Sequence, residues 1–491
     1  MSKESRSRKL QLDTILSAIT QAVGGKSAAK DDLLHRFTKR YVGNTPAPLS
    51  SNATEQFVTD IAQAWHFVQE RKSSRPLISF EEALLEENGR QLPTTVVRVL
   101  LDDKPFIVDS LRQALLRSGA TIKAVRNTVL FSGRRKPGAA KDSLGRFGEL
   151  ADLATKSDDD FSAESFCSIT CARWESERSK GIESELRDSL SHVSAAVGNY
   201  KEMTSAAANL RRNLLTNAEY LPVSEENVAE SIEFIGWLID NHFTFLGYEK
   251  YRIREKSGES IIELEPGSLL GVSRYKSQLR SQTKVSSLPG AAADFISRPK
   301  LLSFAKSSKR SKVHRPAYYD YVLIKEFDKA GQVTHMHRFL GLYTSSVYFR
   351  EALSIPLIRK KVSRALENSG YTKNGHNMKD LMQVINTFPR DELFQISSRS
   401  LLDIAVGITK IRDTGTSKLF VRKDFYGRFV SCLVYIPREL FNTKSRVAIQ
   451  SLLQARLQAE DVDFNTYLSE SSQARIHLVF KVPTIRALKI D

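Results

Sequence analysis

Three groups of residues in this 491-residue chain could do chemistry. Asp102, Asp103 and Lys104 stand together ahead of Pro105, between a β-branched run and an amphipathic helical pattern. The free N–H groups and positive dipole end of a helix there would suit the carboxylate of a small ligand, so all three are candidate ligand contacts. Asp103 could equally occupy that end itself, as the N-cap of the helix. Arg315 and Arg338 flank an aromatic-rich stretch and could hold an anion bidentately. They could equally pair with Asp320 and Glu326. His335 and His337, at i and i+2 of one predicted strand, share a face, and with His314 they could bind a metal. Met336 intervenes and no Cys or carboxylate has matching spacing, so a polar sheet face is the preferred reading and no metal site is assigned.

The common catalytic signatures are missing. No two glycines are separated by a single residue, which excludes a G-x-G-x-x-G dinucleotide turn. Gly133/Gly138 and Gly370/Gly375 have P-loop spacing, but neither pair is followed by Lys and Ser or Thr. H-E-x-x-H, C-x-x-C and G-x-S-x-G do not occur. No catalytic or cofactor-binding residue is therefore assigned.

Composition bounds the remaining classes. Cys167 and Cys171 lie four apart in FCSITCA, and on a strand they read as small core residues facing one side. With Cys432 they make an odd, sparse set, which is no disulfide framework and fits a reducing, cytoplasmic compartment. No stretch of 18 apolar residues occurs, so no membrane partner is expected. The basic N-terminus lacks the unbroken apolar core of a signal peptide. Net charge is +17, and the densest basic run, Ile296 to Arg315, holds seven Lys or Arg and no acid. Only Phe304 could stack a base within it, so the run reads as a solvated loop and nucleic acid is not an expected partner.

Elements that would position these residues follow from periodicity. Residues 1–90 read as helical, with Phe57, Ile61, Trp65 and Val68 in one stripe. An N-terminal amphipathic helix ends at Gly24–Gly25, and Pro46, Pro48 and the Ser-Ser-Asn beyond them mark a loop. Residues 91–180 form a first α+β module. Its strand at Thr94 to Leu101 leads to a helix opening at Pro105 and stopped by Gly119. Strands at Thr121 to Phe131 and Phe161 to Trp174 flank a mobile polar insertion at 133–160. A helical linker covers 181–240. A β-rich module at 241–353 contains strands Phe243 to Tyr251, Tyr318 to Phe327 and Val333 to Tyr343, the last two a hairpin, with the basic loop at 296–315. Residues 354–412 are helical, capped by Ser354, and Gly370 stops the first helix. A second α+β module spans 413–483, with a tail at 484–491. The fold class is α+β, several small ferredoxin-like sandwiches joined by helical segments.

The stretches LDDKPFIVDSL, WLIDNHFTFLGYEKY, SKVHRPAYYDYVLIKEFD, HRFLGLYTS, IPLIRKKVSRALENSGY, NTFPRDELFQI, LFVRKDFYGRFVSCLVYIPRELFNT and YLSESSQARIHLVF occur in this order. Together they resemble the N-terminal region of the large bacterial NAD-specific glutamate dehydrogenases, over about residues 30–480. The resemblance implies ACT-like sandwiches that sense a small-molecule effector or organise an oligomer. It places the glutamate and NAD sites in a catalytic domain far downstream, so NAD is implied for the full-length family and not for this chain, which alone would be inactive. A homo-oligomer or a downstream catalytic chain is the expected partner. The end, KVPTIRALKID, reads as a new tail after a frameshift or as one half of a split gene. Two competing readings are a freestanding amino-acid-binding module and a nucleic-acid-binding protein driven by the basic charge.

Overall fold

Every residue from Thr94 to Leu101 is buried, polar Arg98 included. Continuous burial marks a strand covered on both faces. In a computed structural model, which describes residues 3–483 apart from 25–26, 44–50, 88, 141–142, 157–158, 257, 276–281, 289 and 469–470, that strand lies inside a six-stranded sheet. The chain divides into two compact units: residues 1–194 with 312–316, and residues 195–311 with 317–491.

The first unit opens with helices α1 (Lys3–Val23), α2 (Ala28–Val42) and α3 (Ser51–Val68). Strands β1 (Glu70–Arg71), β2 (Leu77–Glu87) and β3 (Arg90–Asp102) follow, then α4 (Ile107–Arg117), β4 (Ile122–Arg135), β5 (Gly148–Ala154), β6 (Ser162–Ala172) and α5 (Ser176–Gly198). The sheet order is β1-β5-β4-β6-β3-β2, antiparallel throughout. Because β6 lies between β3 and β4, the β3–α4–β4 unit is the split β-α-β of a ferredoxin-like sandwich. Helices α1 to α3 bury Ile19, Phe37, Ile61 and Trp65 against Leu100, Leu130 and Phe166 of the sheet. The stripe of Phe57, Ile61, Trp65 and Val68 is buried as its spacing predicts.

Several expectations need correction here. The segment 1–90 is not all helical, since β1 and β2 lie inside it. Ser51 and Asn52 belong to α3 and not to a loop, while Pro46, Pro48 and Gly25 lie outside the described residues. The insertion 133–160 holds β5, which pairs with β4 and β1 and buries Leu150 and Leu153. Two leucines reaching the core were hidden among polar neighbours.

The second unit begins with α6 (Tyr200–Thr216) and α7 (Glu225–Trp237). Strands β7 (Phe243–Lys256), β8 (Glu259–Leu264), β9 (Leu270–Gly271) and β10 (Gln282–Lys284), helix α8 (Gly290–Ser297), and strands β11 (Leu302–Arg310), β12 (Tyr318–Phe327) and β13 (Val333–Tyr343) complete a seven-stranded sheet. Its order is β10-β8-β7-β13-β12-β11, with β9 on β7. Gly271 has φ +59, and a Cβ there would meet Leu246 O at 2.1 Å, so only glycine lets β9 approach β7. Helices α9 (Ser345–Phe349), α10 (Ile358–Glu367), α11 (His376–Thr387), α12 (Arg390–Gln395) and α13 (Ser398–Thr414) come next. The last module is β14 (Lys418–Lys423), β15 (Phe429–Pro437), α14 (Thr443–Leu457), β16 (Asp461–Leu468) and β17 (Gln473–Lys481), in the antiparallel order β14-β15-β17-β16. One apolar core joins the helices, one face of the large sheet and β15, through residues such as Phe234, Phe339, Phe394, Ile408 and Leu433.

The basic run is not a loop: residues 302–310 form β11, paired with β12. Ser354 lies in a 3-10 turn and does not cap α10, whose N-cap position is Leu357 with no side-chain bond. The tail 484–491 lies outside the described residues. Among the described residues no helix is long and apolar enough to cross a membrane.

Candidate functional site

The β3–α4 junction holds the first candidate residues in contacts of its own unit. Asp102 lies 2.9 Å from Arg71 and 2.7 Å from Arg146. Burial works to raise its pKa, but Arg71 and then Arg146 outweigh it and hold the carboxyl below its usual range. Asp103 does not cap α4. Its carboxylate accepts from Ser165 Oγ at 2.5 Å, and its N–H donates to Ala163 O at 2.9 Å. Ser165 faces the end of β3 from the neighbouring strand and supplies the nearer donor. The N-cap position is Phe106, in the left-handed region at φ 72, with no side-chain bond to the helix. Lys104 Nζ donates to Ser194 Oγ at 3.3 Å.

His314, at φ 66, sits in the same unit, with Nδ1 3.0 Å from Asp109 and its ring 5.1 Å from that of Phe106. Arg315 belongs to this unit and Arg338 to the other, so neither unit holds both arginines. His335 and His337 do share a face, and both approach Glu326, at 3.6 and 3.1 Å. The bond from His337, more than burial, sets the direction for Glu326, whose carboxyl stays below its usual range. Tyr248 OH lies 2.9 Å from His337 Nδ1. No group of three potential ligands is arranged for a metal among the described residues.

The basic run is largely neutralised within the fold. Lys306 is buried between Asp320 at 3.0 Å and Asp391 at 2.9 Å, and Arg298 pairs with Asp294. Arg310 reaches Asp461 at 2.8 Å, and Lys312 reaches Asp188 at 2.6 Å. Four of the run's seven basic residues are thus paired with carboxylates of the chain itself.

Arg338 pairs with neither Asp320 nor Glu326. It faces Glu249 directly across the β7–β13 ladder and bonds that carboxylate, while its guanidinium lies 5.0 Å from each of the rings of Tyr251 and Tyr321. Glu249 is fully buried and also accepts from Ser273 Oγ at 2.9 Å and Tyr251 OH at 2.5 Å. Arg338 borders a cavity of about 400 Å³ with Tyr426 and Arg428. A second cavity, of about 630 Å³, lies in the first unit between α3 and the sheet and is lined by Asp60, Glu82, Gln91 and Arg126 among others. Glu249 and Arg428 escaped the sequence reading. Period-two alternation of Tyr251, Tyr321, Met336 and Arg338 along their strands is the only signal that could have grouped the cavity walls.

Buried thiols complete the inventory. Burial pushes Cys167 up to about 12, aided by the Asp103 charge, and Cys171 up to about 11. Neither behaves as a nucleophile at neutral pH.

Comparison with known proteins places these modules. Family models match in three spans: the glutamate dehydrogenase ACT1 domain over residues 37–186, helical motif 1 over 355–414 and the ACT2 domain over 418–491. The chain is 35% identical over 468 residues to the NAD-specific glutamate dehydrogenase of Halomonas elongata, covering 95% of this chain and 28% of that protein. It is 33% identical over 488 residues to that of Pseudomonas aeruginosa, covering 95% and 29%. The corresponding protein of Mycobacterium tuberculosis is 30% identical over 253 residues, 52% of this chain and 14% of that one. The chain spans less than a third of the length of these curated relatives.

Proposed function

Since this chain belongs to the NAD-specific glutamate dehydrogenase family, as its N-terminal, ACT-bearing region, we propose that it is the regulatory and oligomerisation part of such an enzyme. On this reading, the glutamate and NAD chemistry that the relatives' names give belongs to the part of their length that this chain does not match. The carrying observation is the ordered set of ACT1, helical motif and ACT2 matches on a chain without a glycine-rich dinucleotide turn. Small-ligand sensing fits the two half-open cavities bordered by Arg126 and by Arg338.

Assembly is supported by the last module. Among the described residues its edge strand β16 is paired on one side only, and it exposes Phe464, Tyr467 and Leu468, while α14 exposes Val447 and Leu452. Arg310 and Asp461 occupy the outer carbonyl and N–H of Val462, and beyond that residue an edge with no neighbouring strand beside apolar side chains suits a second copy of the chain.

The test is glutamate-dependent NAD reduction by the purified 491-residue chain. No turnover is expected. Rates in the ordinary enzymatic range of about 1–1,000 s⁻¹ would overturn the proposal.

A further inference from the structure

The 400 Å³ cavity of the second unit lies on the face of the seven-stranded sheet opposite to that packed on the helices. Alternation decides this: Val322, Ile324 and Phe339 enter the apolar core, while Tyr321, Leu323 and Arg338 point the other way. Most of its walls come from residues 251–338, between the spans matched by the ACT1 and helical-motif models.

The cavity is built to hold its shape. Lys325 is fully buried, and its Nζ donates to the carbonyls of Phe295 at 2.9 Å, Ile296 at 3.3 Å and Arg298 at 2.5 Å. Three acceptors at the C-terminal end of α8 match the three N–H bonds of an ammonium and hold Phe295 and Ile296 over the sheet. On the other side, Asp424 accepts from the N–H groups of Tyr426, Arg428 and Phe429 at 3.2, 2.7 and 3.1 Å. Tyr426 OH is 2.8 Å from Ser303 Oγ. The turn that presents Arg428 is thereby fixed.

The charge balance is one-sided. Glu249 neutralises Arg338, but Arg338 Nε is buried with no acceptor. Among the described residues Arg428 makes no ion pair, and no Asp or Glu lines the cavity. One guanidinium thus stays uncompensated beside walls of Phe295, Ile296, Tyr321 and Met336. We propose that this cavity binds a small monocarboxylate with an aromatic or branched apolar body and no amino group, its carboxylate on Arg428 and its body against Tyr321 and Phe295.

Chemistry selects that class. A single carboxylate brings the site to neutrality, and guanidinium and carboxylate match bidentately. A phosphate dianion would leave excess negative charge beside Glu249. The α-ammonium of an amino acid would meet the two guanidinium groups and no carboxylate among the described lining residues. The volume suits a ligand of roughly ten to fifteen heavy atoms, within the usual range of about 300–1,000 Å³ for small-molecule sites.

The experiment is titration calorimetry of the full chain with phenylacetate, alongside phenylalanine and inorganic phosphate. Saturable binding of phenylacetate alone is expected. Arg428→Gln, an exposed position, should weaken it by about tenfold or more with unchanged thermal melting. Ala292→Phe, which fills the cavity from α8, should abolish it. No saturable heat with phenylacetate from a normally melting chain overturns the proposal. So does equal binding by Arg428→Gln, or equal binding of phenylalanine or phosphate. Neither glutamate oxidation nor subunit number is read here, so failure leaves the proposed family role standing.

Discussion

Lys306 and Asp391 form a buried ion pair of 2.9 Å that ties strand β11 to the first turn of helix α12. Burial would pull the ammonium down, but Asp320 and Asp391 overcome it and hold Lys306 well above its ordinary value. Burial acts on Asp391 in the opposite sense to Lys306, whose charge wins and holds the carboxyl far below its usual range. Removing one member of a buried pair leaves the other uncompensated. Asp391→Asn should destabilise the second unit by about 3–5 kcal/mol, read as a fall in the urea midpoint at unchanged slope. A loss below about 1 kcal/mol would mean that Asp320 alone satisfies Lys306.

His477 packs beside that pair, with Nε2 2.9 Å from Ser431 Oγ and 3.9 Å from Glu392. Burial lowers its pKa below 6.5. Glu392 and Asp391 oppose the shift, while Arg475 and Lys306 add to it. The unfolded chain therefore takes up this proton first as pH falls. Stability is full above about pH 6.5 and declines below it, by at most about 1.4 kcal/mol per pH unit from this group. His335 is shifted in the same sense, chiefly by burial, so the comparison must be with His477→Gln. That variant should show a shallower stability loss between about pH 6.5 and 5 in urea titrations. Parallel profiles would remove His477 as a contributor. The lowered Asp391 and Glu392 act further into acid: their contribution is full above the ordinary carboxylate pKa of about 4 and is lost as pH falls from there through the lowered values.

In the first unit Glu164 is fully buried between Arg134 and Arg71, each at 2.7 Å. Arg134 also donates to the carbonyls of Val68 and Gly148, so this one carboxylate joins the end of α3 to β1, β4 and β6. Glu164→Gln should cost about 3–5 kcal/mol and unfold the first unit at lower denaturant. Hydrogen exchange should report the loss in β4 to β6. Unchanged protection there would show that Asp102 carries the balance for Arg71.

The exposed β16 edge yields a solution test of assembly. Phe464→Glu with Leu452→Glu should shift the chain to a smaller species by sedimentation, at melting temperatures within a few degrees of the parent. Phe464 loses its contact with Arg446, at 4.1 Å, without leaving a buried cavity. An unchanged mass would place the subunit interface elsewhere.

Much of the framework was legible from local pattern. Strands β12 and β13 fall residue for residue where their aromatic runs predicted them, as does helix α14, opened by the Asn442–Ser445 capping box. The resemblance to the glutamate dehydrogenase family was likewise carried by uninterrupted motifs, and comparison bears it out. In these cases the sequence determined the outcome by itself, because backbone preference and hydrophobic period are properties of neighbours along the chain. The basic stretch at 296–315 reads as a loop and 133–160 as a mobile polar insertion because their composition conceals β11 and β5. Only the tertiary structure decided that Lys306 is buried on Asp391, that Asp103 takes Ser165 instead of capping α4, and that Arg338 meets Glu249. Each of those partners is remote in sequence. A charge finds its partner through whatever the fold brings within hydrogen-bond reach, and the order of residues carries no direct record of that distance.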